Sequence, residues 1–299
     1  MARALRAVVG PGLLSVIVNV GDDSERYGVH VSADPDTVLY TLANAVGPQG
    51  WGRANDTTRA MDALSDLGFD TSFTLGDKDL AVCMARTEAL QRGEPLSRVV
   101  ADLARRFGVT DVDLLPATDD PLRTWVQVHS GNWLAFQEYF VDRRHEDEVT
   151  ALAFHGSESA VPAPGVIEAV SGADTVVIAP SNPPLSIWPI LAIDEIADAV
   201  RAHRNVAAVS PLFGGAPLKG PADRVMRGVG LSHGTLGILE AYRGLMTRLY
   251  IDEADESDTA LGDGFGVQVI PADTNLTGPD LGAAFASDIL GGTDEGSKL

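Results

Sequence analysis

Two carboxylate-bearing loops stand close together near the start of the chain. Asp22 and Asp23 follow the apolar run 14–20, and Asp34 and Asp36 lie in Ser32-Ala33-Asp34-Pro35-Asp36-Thr37, ahead of a helical segment over 38–45. Loops this close could share a metal ion or a hydroxyl group, since clustered carboxylates bind hard cations and accept protons. The plain alternative is that Asp36 or Thr37 caps the helix. A second constellation is Ala179-Pro180-Ser181-Asn182-Pro183-Pro184, between a strand-like 174–178 and a helix-like 185–191. Its prolines fix φ and restrict their neighbours, so Ser181 and Asn182 have few directions open to them. The amide groups of the helix behind them suit phosphate. A proline-rich turn with a serine cap explains the same residues equally well.

Two further loops carry charge. Residues 210–221 form a Gly/Pro-rich loop after the strand-like run 206–209, where Lys219 could meet a phosphate. Leu75-Gly76-Asp77-Lys78-Asp79 sets two aspartates around a lysine at a helix start, although surface charges with Asp79 as cap are the commoner arrangement. No P-loop and no Gly-x-Gly-x-x-Gly fingerprint is present, which disfavours a nicotinamide dehydrogenase. No Gly-x-Ser-x-Gly or Cys/His arrangement points to acyl transfer. His129, His145, His155 and His203 lack metal-ligand spacing, and His30 and His233 near the ligand edge read as solvated or core residues.

Composition narrows the partners. The formal net charge is −20, from 42 acidic and 22 basic residues, with no basic run. A nucleic-acid role is excluded, because holding a phosphate backbone needs a concentrated basic face. An acidic protein that handles phosphorylated substrates needs a divalent cation between like charges. The single cysteine, Cys83, lies in an apolar helical stretch, so it reads as core and a disulfide framework is ruled out. No apolar run reaches the roughly 18–20 residues of a membrane span. Residues 1–9 are too short an apolar run, broken by Arg6, for a signal peptide. A cytoplasmic protein is expected.

The elements that must position these residues alternate. Apolar runs of strand length at 14–20, 175–178, 206–209, 248–251 and 267–270 are separated by helical segments such as 187–200 and 236–245. That order predicts a doubly wound, Rossmann-like α/β domain with a mostly parallel sheet. The middle reads differently. Helices over 57–67, 80–90 and 97–107 end at Gly68, Gly93 and Gly108, and a hairpin of strands 123–128 and 133–140 turns at 130–132. One domain is expected, with a core of 1–52 and 151–290, an insertion over about 53–150, and a disordered tail at 291–299.

Taken in order, the segments 18–23, 34–40, Trp51-Gly52, 75–79, 136–140, 179–183, 209–212 and 219–222 resemble the 2-phospho-L-lactate transferase family of coenzyme F-420 biosynthesis. Its actinobacterial members act as phosphoenolpyruvate transferases. The resemblance runs from about Leu14 to Asp273. It implies a guanosine-diphosphate-activated donor carrying phosphoenolpyruvate or 2-phospho-L-lactate, and 7,8-didemethyl-8-hydroxy-5-deazariboflavin as acceptor. The ribityl hydroxyl would attack the donor phosphorus nearest the three-carbon unit, and GMP would leave. Mg²⁺ and a few carboxylates would suffice for such a transfer. By motif match, Asp36 would contact the acceptor and orient or deprotonate its hydroxyl, and Asp22 or Asp23 would help place the metal. Ser181, Asn182, Pro183 and the loop with Ser210, Lys219 and Gly220 would hold the donor. Thr74 and Lys78, in the segment 74–79, would face the deazaflavin, although relatives carry a basic residue where Thr74 stands.

The resemblance departs at the start. Family members open with a strand and a Gly-Gly-x-Gly loop ahead of the first helix, whereas by this resemblance Met1 stands already in that helix. The expectation is therefore poor stability and low activity for the chain as written, rescued by an upstream strand and loop. An alternative of another class is a non-catalytic relative that binds a nucleotide or nucleotide-sugar. The Ala/Arg/Asp/Gly-rich composition leans the donor toward enolpyruvyl, and a homodimer would fit the family.

Overall fold

The computed structural model describes residues 1–276 and 279–291. The chain opens with helix α1 (Ala2–Val8) and strand β1 (Leu14–Val18), then a ribbon of β2 (Ser24–Arg26) and β3 (Val29–Val31). Arg26 pairs with Val29, leaving the two-residue turn Tyr27-Gly28, and both residues have positive φ (54° and 74°). That is the backbone a tight hairpin needs, and it explains the glycine. Helix α2 (Ala33–Leu42) follows, then α3 (Arg59–Asp66), α4 (Asp77–Gln91) and α5 (Leu96–Arg106). The last three stop at Gly68, Gly93 and Gly108, with φ of 85°, 84° and 75°.

Strand β4 (Val112–Pro116) then runs parallel to β1, with Val16 opposite Leu114. The span 53–150 is thus not one block set apart from the core, because β4 shares a sheet with β1. Strands β5 (Arg123–Val128), β6 (Trp133–Ala135) and β7 (Val149–His155) make an antiparallel sheet in the order β6-β5-β7. The turn at 130–132 is as expected: Gly131 at φ 86° donates to the Val128 carbonyl. The second hairpin strand is shorter than expected. Beyond Ala135 the chain coils into a π turn at Glu138–Asp142, since Phe136, Tyr139 and Phe140 have helical spacing and pack into one cluster with Val126, Leu134 and Val149.

The second half carries α6 (Val166–Gly172), β8 (Val176–Ile178), a π turn at Pro183–Ile187, α7 (Trp188–Leu191), α8 (Asp194–Ala202) and β9 (Val206–Val209). A small ribbon of β10 (Leu212–Phe213) and β11 (Ala216–Pro217) leads to α9 (Ala222–Gly228) and α10 (Gly234–Ala241). Then come β12 (Arg248–Asp252), a 3₁₀ stretch at Glu253–Phe265, β13 (Gln268–Ala272) and α11 (Pro279–Gly291). The expected tail beyond Gly291 lies outside the described residues. The helix expected over 187–200 is broken: Ile193 is extended and fully buried between α7 and α8, which turns both it and Ile196 into the core.

Four strands pair in parallel in the order β13-β12-β9-β8, and β9 is buried along its whole length, as suits a strand covered on both faces. The α/β class with parallel sheets holds, but the sheet comes in two pieces. Among the described residues no ladder joins the β1–β4 pair to the four-stranded sheet. One apolar core spans both, from Val18, Leu39 and Tyr40 to Ile178, Val206 and Leu249. Strands β1, β8 and β9 end at the loops that carry Asp22, Ser181 and Ser210.

Candidate active site

The acidic loop after β1 is built around Asn19 and Gly21. Asn19 Oδ1 accepts the Gly21 amide at 2.7 Å, and its Nδ2 donates to Asp34 Oδ2 at 3.1 Å. A Cβ on Gly21 would lie 2.6 Å from Thr124 Oγ1 and 3.0 Å from Pro189 Cβ, so only glycine fits. The Gly21 carbonyl accepts the Thr124 amide at 2.7 Å, and Gln137 Nε2 donates to the Asp22 carbonyl at 3.0 Å. The hairpin sheet, the acidic loop and the start of α7 therefore meet at one backbone point. Through α7, the 179–184 run is tied to the carboxylates.

Asp22 and Asp23 are both buried. Asp23 Oδ2 accepts the Ser32 hydroxyl at 2.8 Å and lies 2.9 Å from His30 Nε2. Asp23 Oδ1 and Asp22 Oδ1 are buried without a partner. Burial first, and then the negative charge of Asp34, push the Asp22 carboxyl well above its ordinary range. Burial pushes Asp34 up to about 6. Crowded, desolvated carboxylates with unpaired oxygens fit a hard divalent cation such as Mg²⁺, which takes one or two protein carboxylates and completes its shell with water and phosphate. Asp22 and Asp23 are the residues that would hold it.

Asp36 is not a helix cap. Helix α2 begins at Ala33 with Ser32 in the cap position, which places Asp34 and Asp36 in the first turn. Asp36 points inward, where the fully buried Arg86 of α4 makes an ion pair with its Oδ1. Burial raises the Asp36 carboxyl to about 6, against the pull of Arg86. Beside them the Tyr40 hydroxyl donates to Asp79 Oδ1 at 2.7 Å. Asp36, Asp79 and Cys83 offer ligand atoms within 4.8 Å of one another. A cation there would face the Arg86 guanidinium, and burial pushes the Cys83 thiol up to about 12, so this group reads as an ion-pair network.

The remaining expected residues are dispersed. Thr74 is exposed, with its hydroxyl on the Thr71 carbonyl. Its neighbour Phe73 lies under the Arg26 guanidinium, 5.0 Å from the ring centroid. Lys78 Nζ donates to the Asn55 carbonyl at 2.6 Å. Asp79 does not cap α4: the carboxylate of Asp56 does, accepting the amides of Lys78 and Asp79 at 2.8 and 3.1 Å. After β8, Asn182 rather than Ser181 is the cap, its Oδ1 accepting the Leu185 amide at 3.3 Å, and Pro183 is buried behind it. Ser210 is buried and turns its loop, with Oγ accepting the Leu212 amide at 3.1 Å. Lys219 and Gly220 are exposed, Gly220 at φ 79°.

A cleft of about 440 Å³ opens on the acidic loop, lined by Asp22, Asp23, Arg26, Arg123, Trp125 and Phe136. Four further residues join the candidates. Trp125 and Arg123 share one face of β5 because Thr124, Val126 and Val128 alternate inward, and that period was visible. Arg86 stands on the buried stripe of α4 with Val82, Cys83 and Ala89. A charge on such a stripe demands a buried partner. His30, taken for a solvated or core residue, instead sits on Asp23.

A family model described as 2-phospho-L-lactate transferase CofD matches residues 1–263. A phosphoenolpyruvate transferase of Streptomyces griseus is 36% identical, covering 96% of this chain and 92% of the relative. That of Thermobifida fusca is 39% identical over 92% and 86%. A 2-phospho-L-lactate transferase of Methanopyrus kandleri is 38% identical over 92% and 88%. The crystal structure of a UPF0052-family protein from Bacillus halodurans superposes with a TM-score of 0.64 at 15% identity, over 97% of this chain and 94% of that one, and shows the fold alone. The chain belongs to the 2-phospho-L-lactate transferase CofD family.

Proposed function

We propose that this transferase moves a phosphoenolpyruvyl or 2-phospho-L-lactyl group from a guanosine-diphosphate-activated donor to the terminal ribityl hydroxyl of 7,8-didemethyl-8-hydroxy-5-deazariboflavin, in coenzyme F-420 biosynthesis. The observation that carries the proposal is the buried pair Asp22 and Asp23, whose unpartnered oxygens sit beside a cleft with aromatic walls. The hydroxyl oxygen bonds to the phosphorus nearest the three-carbon unit as the bond from that phosphorus to the GMP oxygen breaks. Asp36 takes the hydroxyl proton. A carboxyl near 6 is largely ionised at neutral pH yet basic enough for that role. Asp22 and Asp23 would hold Mg²⁺, which would neutralise phosphate charge. The rest of such a transfer is positioning.

Trp125 and Phe136 offer flat apolar faces for the deazaflavin ring, and Thr74 and Lys78 are further contacts proposed on motif match alone. Ser181, Asn182, Pro183 and Ser210 frame the nucleotide side, and Lys219 supplies a positive charge there. A cytoplasmic location and a homodimer belong to the proposal. Among the described residues no helix is long and apolar enough to cross a membrane, and light scattering tests the dimer. The decisive experiment mixes protein, deazaflavin, Mg²⁺ and activated donor, and follows GMP release with product mass. Release of GMP with a product of the expected mass supports transfer, and two hydrogens separate enolpyruvyl from lactyl. Tight nucleotide binding without GMP release would instead favour the non-catalytic reading.

A further inference from the structure

We infer that Arg86 is a positioning residue for Asp36, and that through residue 30 it ties both carboxylate loops to one turn of α4. Its guanidinium is fully buried and reaches two other elements at once. One arm makes the ion pair with Asp36 Oδ1 on α2. The other donates to the His30 carbonyl on β3 at 3.2 Å. The next residue grips the same strand at the same point: the His30 amide donates to Thr87 Oγ1 at 2.7 Å. The Thr87 hydroxyl in turn donates to the Cys83 carbonyl at 2.7 Å, which fixes its rotamer. His30 so held presents its ring to Asp23. One turn of α4 therefore sets the orientation of Asp36 directly and of Asp23 through His30.

Stability is a poor reason for this arginine. A buried ion pair returns little over a well-packed apolar side chain, because both charges lose their water. Arg86 Nε is also buried without a partner, which adds a cost that a leucine would not carry. What the planar fork supplies is direction. It takes up Oδ1 of Asp36 and leaves Oδ2 to accept a proton, an arrangement that a flexible lysine cannot reproduce while also reaching the His30 carbonyl.

This inference rests on the proposed role of Asp36, and the test separates the two. GMP release is measured with wild type, Arg86→Gln, Asp36→Asn and the double variant, and kcat and KM are extracted for donor and acceptor. The expected result is a kcat about 10²-fold lower in Arg86→Gln, the scale of a misplaced reacting group. Donor KM should stay within about twofold of wild type, and Arg86→Lys should recover only part of the loss. In the Asp36→Asn background, removing Arg86 should cost no further kcat, since groups that act as one unit are not additive. Equal fractional losses in both backgrounds, or a loss confined to KM, would overturn the inference. Should Arg86→Gln lose its cooperative melt, Arg86→Lys carries the same cycle. A wild-type chain that releases no GMP sinks the proposed function and this inference with it. A wild-type chain that turns over while the cycle is additive sinks the inference alone.

Discussion

The two sides of the candidate site are held by opposite means. On the acidic side, side chains grip side chains out of water: Asn19 on Asp34, Ser32 and His30 on Asp23, Arg86 on Asp36. On the proposed nucleotide side, backbone and proline do the work. Asn182 and Ser210 spend their polar atoms on local amides, and the amides of Gly214 and Gly215 sit over the Asp255 carboxylate. Its one lysine, Lys219, stays in solvent. The acidic side stores unfavourable electrostatics, because desolvated like charges face each other. On the other side, among the described residues, only Asp255 is so placed: burial and then Asp258 raise its carboxyl, against the pull of the Gly214 and Gly215 amides. In the proposed reaction, charge that acts on a phosphorus would be pre-placed at a cost in stability, whereas the loop with Lys219 stays exposed.

The sharpest way to break that contrast is Asp36→Asn. Loss of a proton acceptor should lower kcat by about 10²–10⁴ while donor KM stays within about twofold, both read from GMP release. A drop smaller than about fivefold would move acceptor activation away from Asp36. Next in size is Asp22→Asn. We expect the Mg²⁺ concentration for half-maximal activity to rise by more than about tenfold. Without metal at pH 7.5, Tm should rise by about 2–4 °C, as relief of roughly 1 kcal/mol would give in a chain of this size. A fall in Tm would contradict the idea that this carboxylate is strained.

The pH dependence follows from the same groups. Asp34 and Asp36 titrate near 6 in the folded protein, against about 3.9 in an unfolded chain. The native state holds those protons more tightly, so their contribution is full below about pH 4 and is lost as pH rises through 6. Metal-free Tm should therefore fall between about pH 4.5 and 7, and Mg²⁺ should raise Tm more at pH 7.5 than at pH 5. A scanning-fluorimetry series that is flat or rising across that window rejects this account. The smallest effect is expected on the exposed side. Lys219→Ala should raise donor KM about three- to tenfold, the scale of one charge-assisted contact, and leave Tm within about 1 °C. A large drop in Tm would mean that the loop is as built-in as the carboxylates.

Much of the frame was legible because its signals are local. Buried runs marked β1, β8, β9, β12 and β13, and Gly68, Gly93 and Gly108 stop their helices in the left-handed conformation the sequence implied. Asp22, Asp23 and Asp36 stood out for the same reason, as carboxylates after a strand or at the start of a helix. What local pattern could not carry was contact across the chain. Arg86 meets Asp36 from fifty residues away, and Gln137 reaches Asp22 across 115. The strand expected over 133–140 failed because tertiary packing of Phe136, Tyr139 and Phe140 rewarded a helical turn over an extended one. The cap expected of Asp79 failed similarly: Asp56, from a distant loop, took that place.

The sequence by itself determined the chemistry on offer: carboxylates near two element ends, a proline-bound Ser181-Asn182 pair, an acidic balance that calls for a cation, and motifs in one family's order. Tertiary structure decided which of those groups remain unpaired. Asp22 and Asp23 keep open oxygens because Gly21 lets Thr124 and Pro189 close over the loop, while Asp36 is turned inward to Arg86. The physical reason is that residue type sets what a group can donate or accept. Whether it is desolvated, and which partner it has already met, depends on segments far away along the chain.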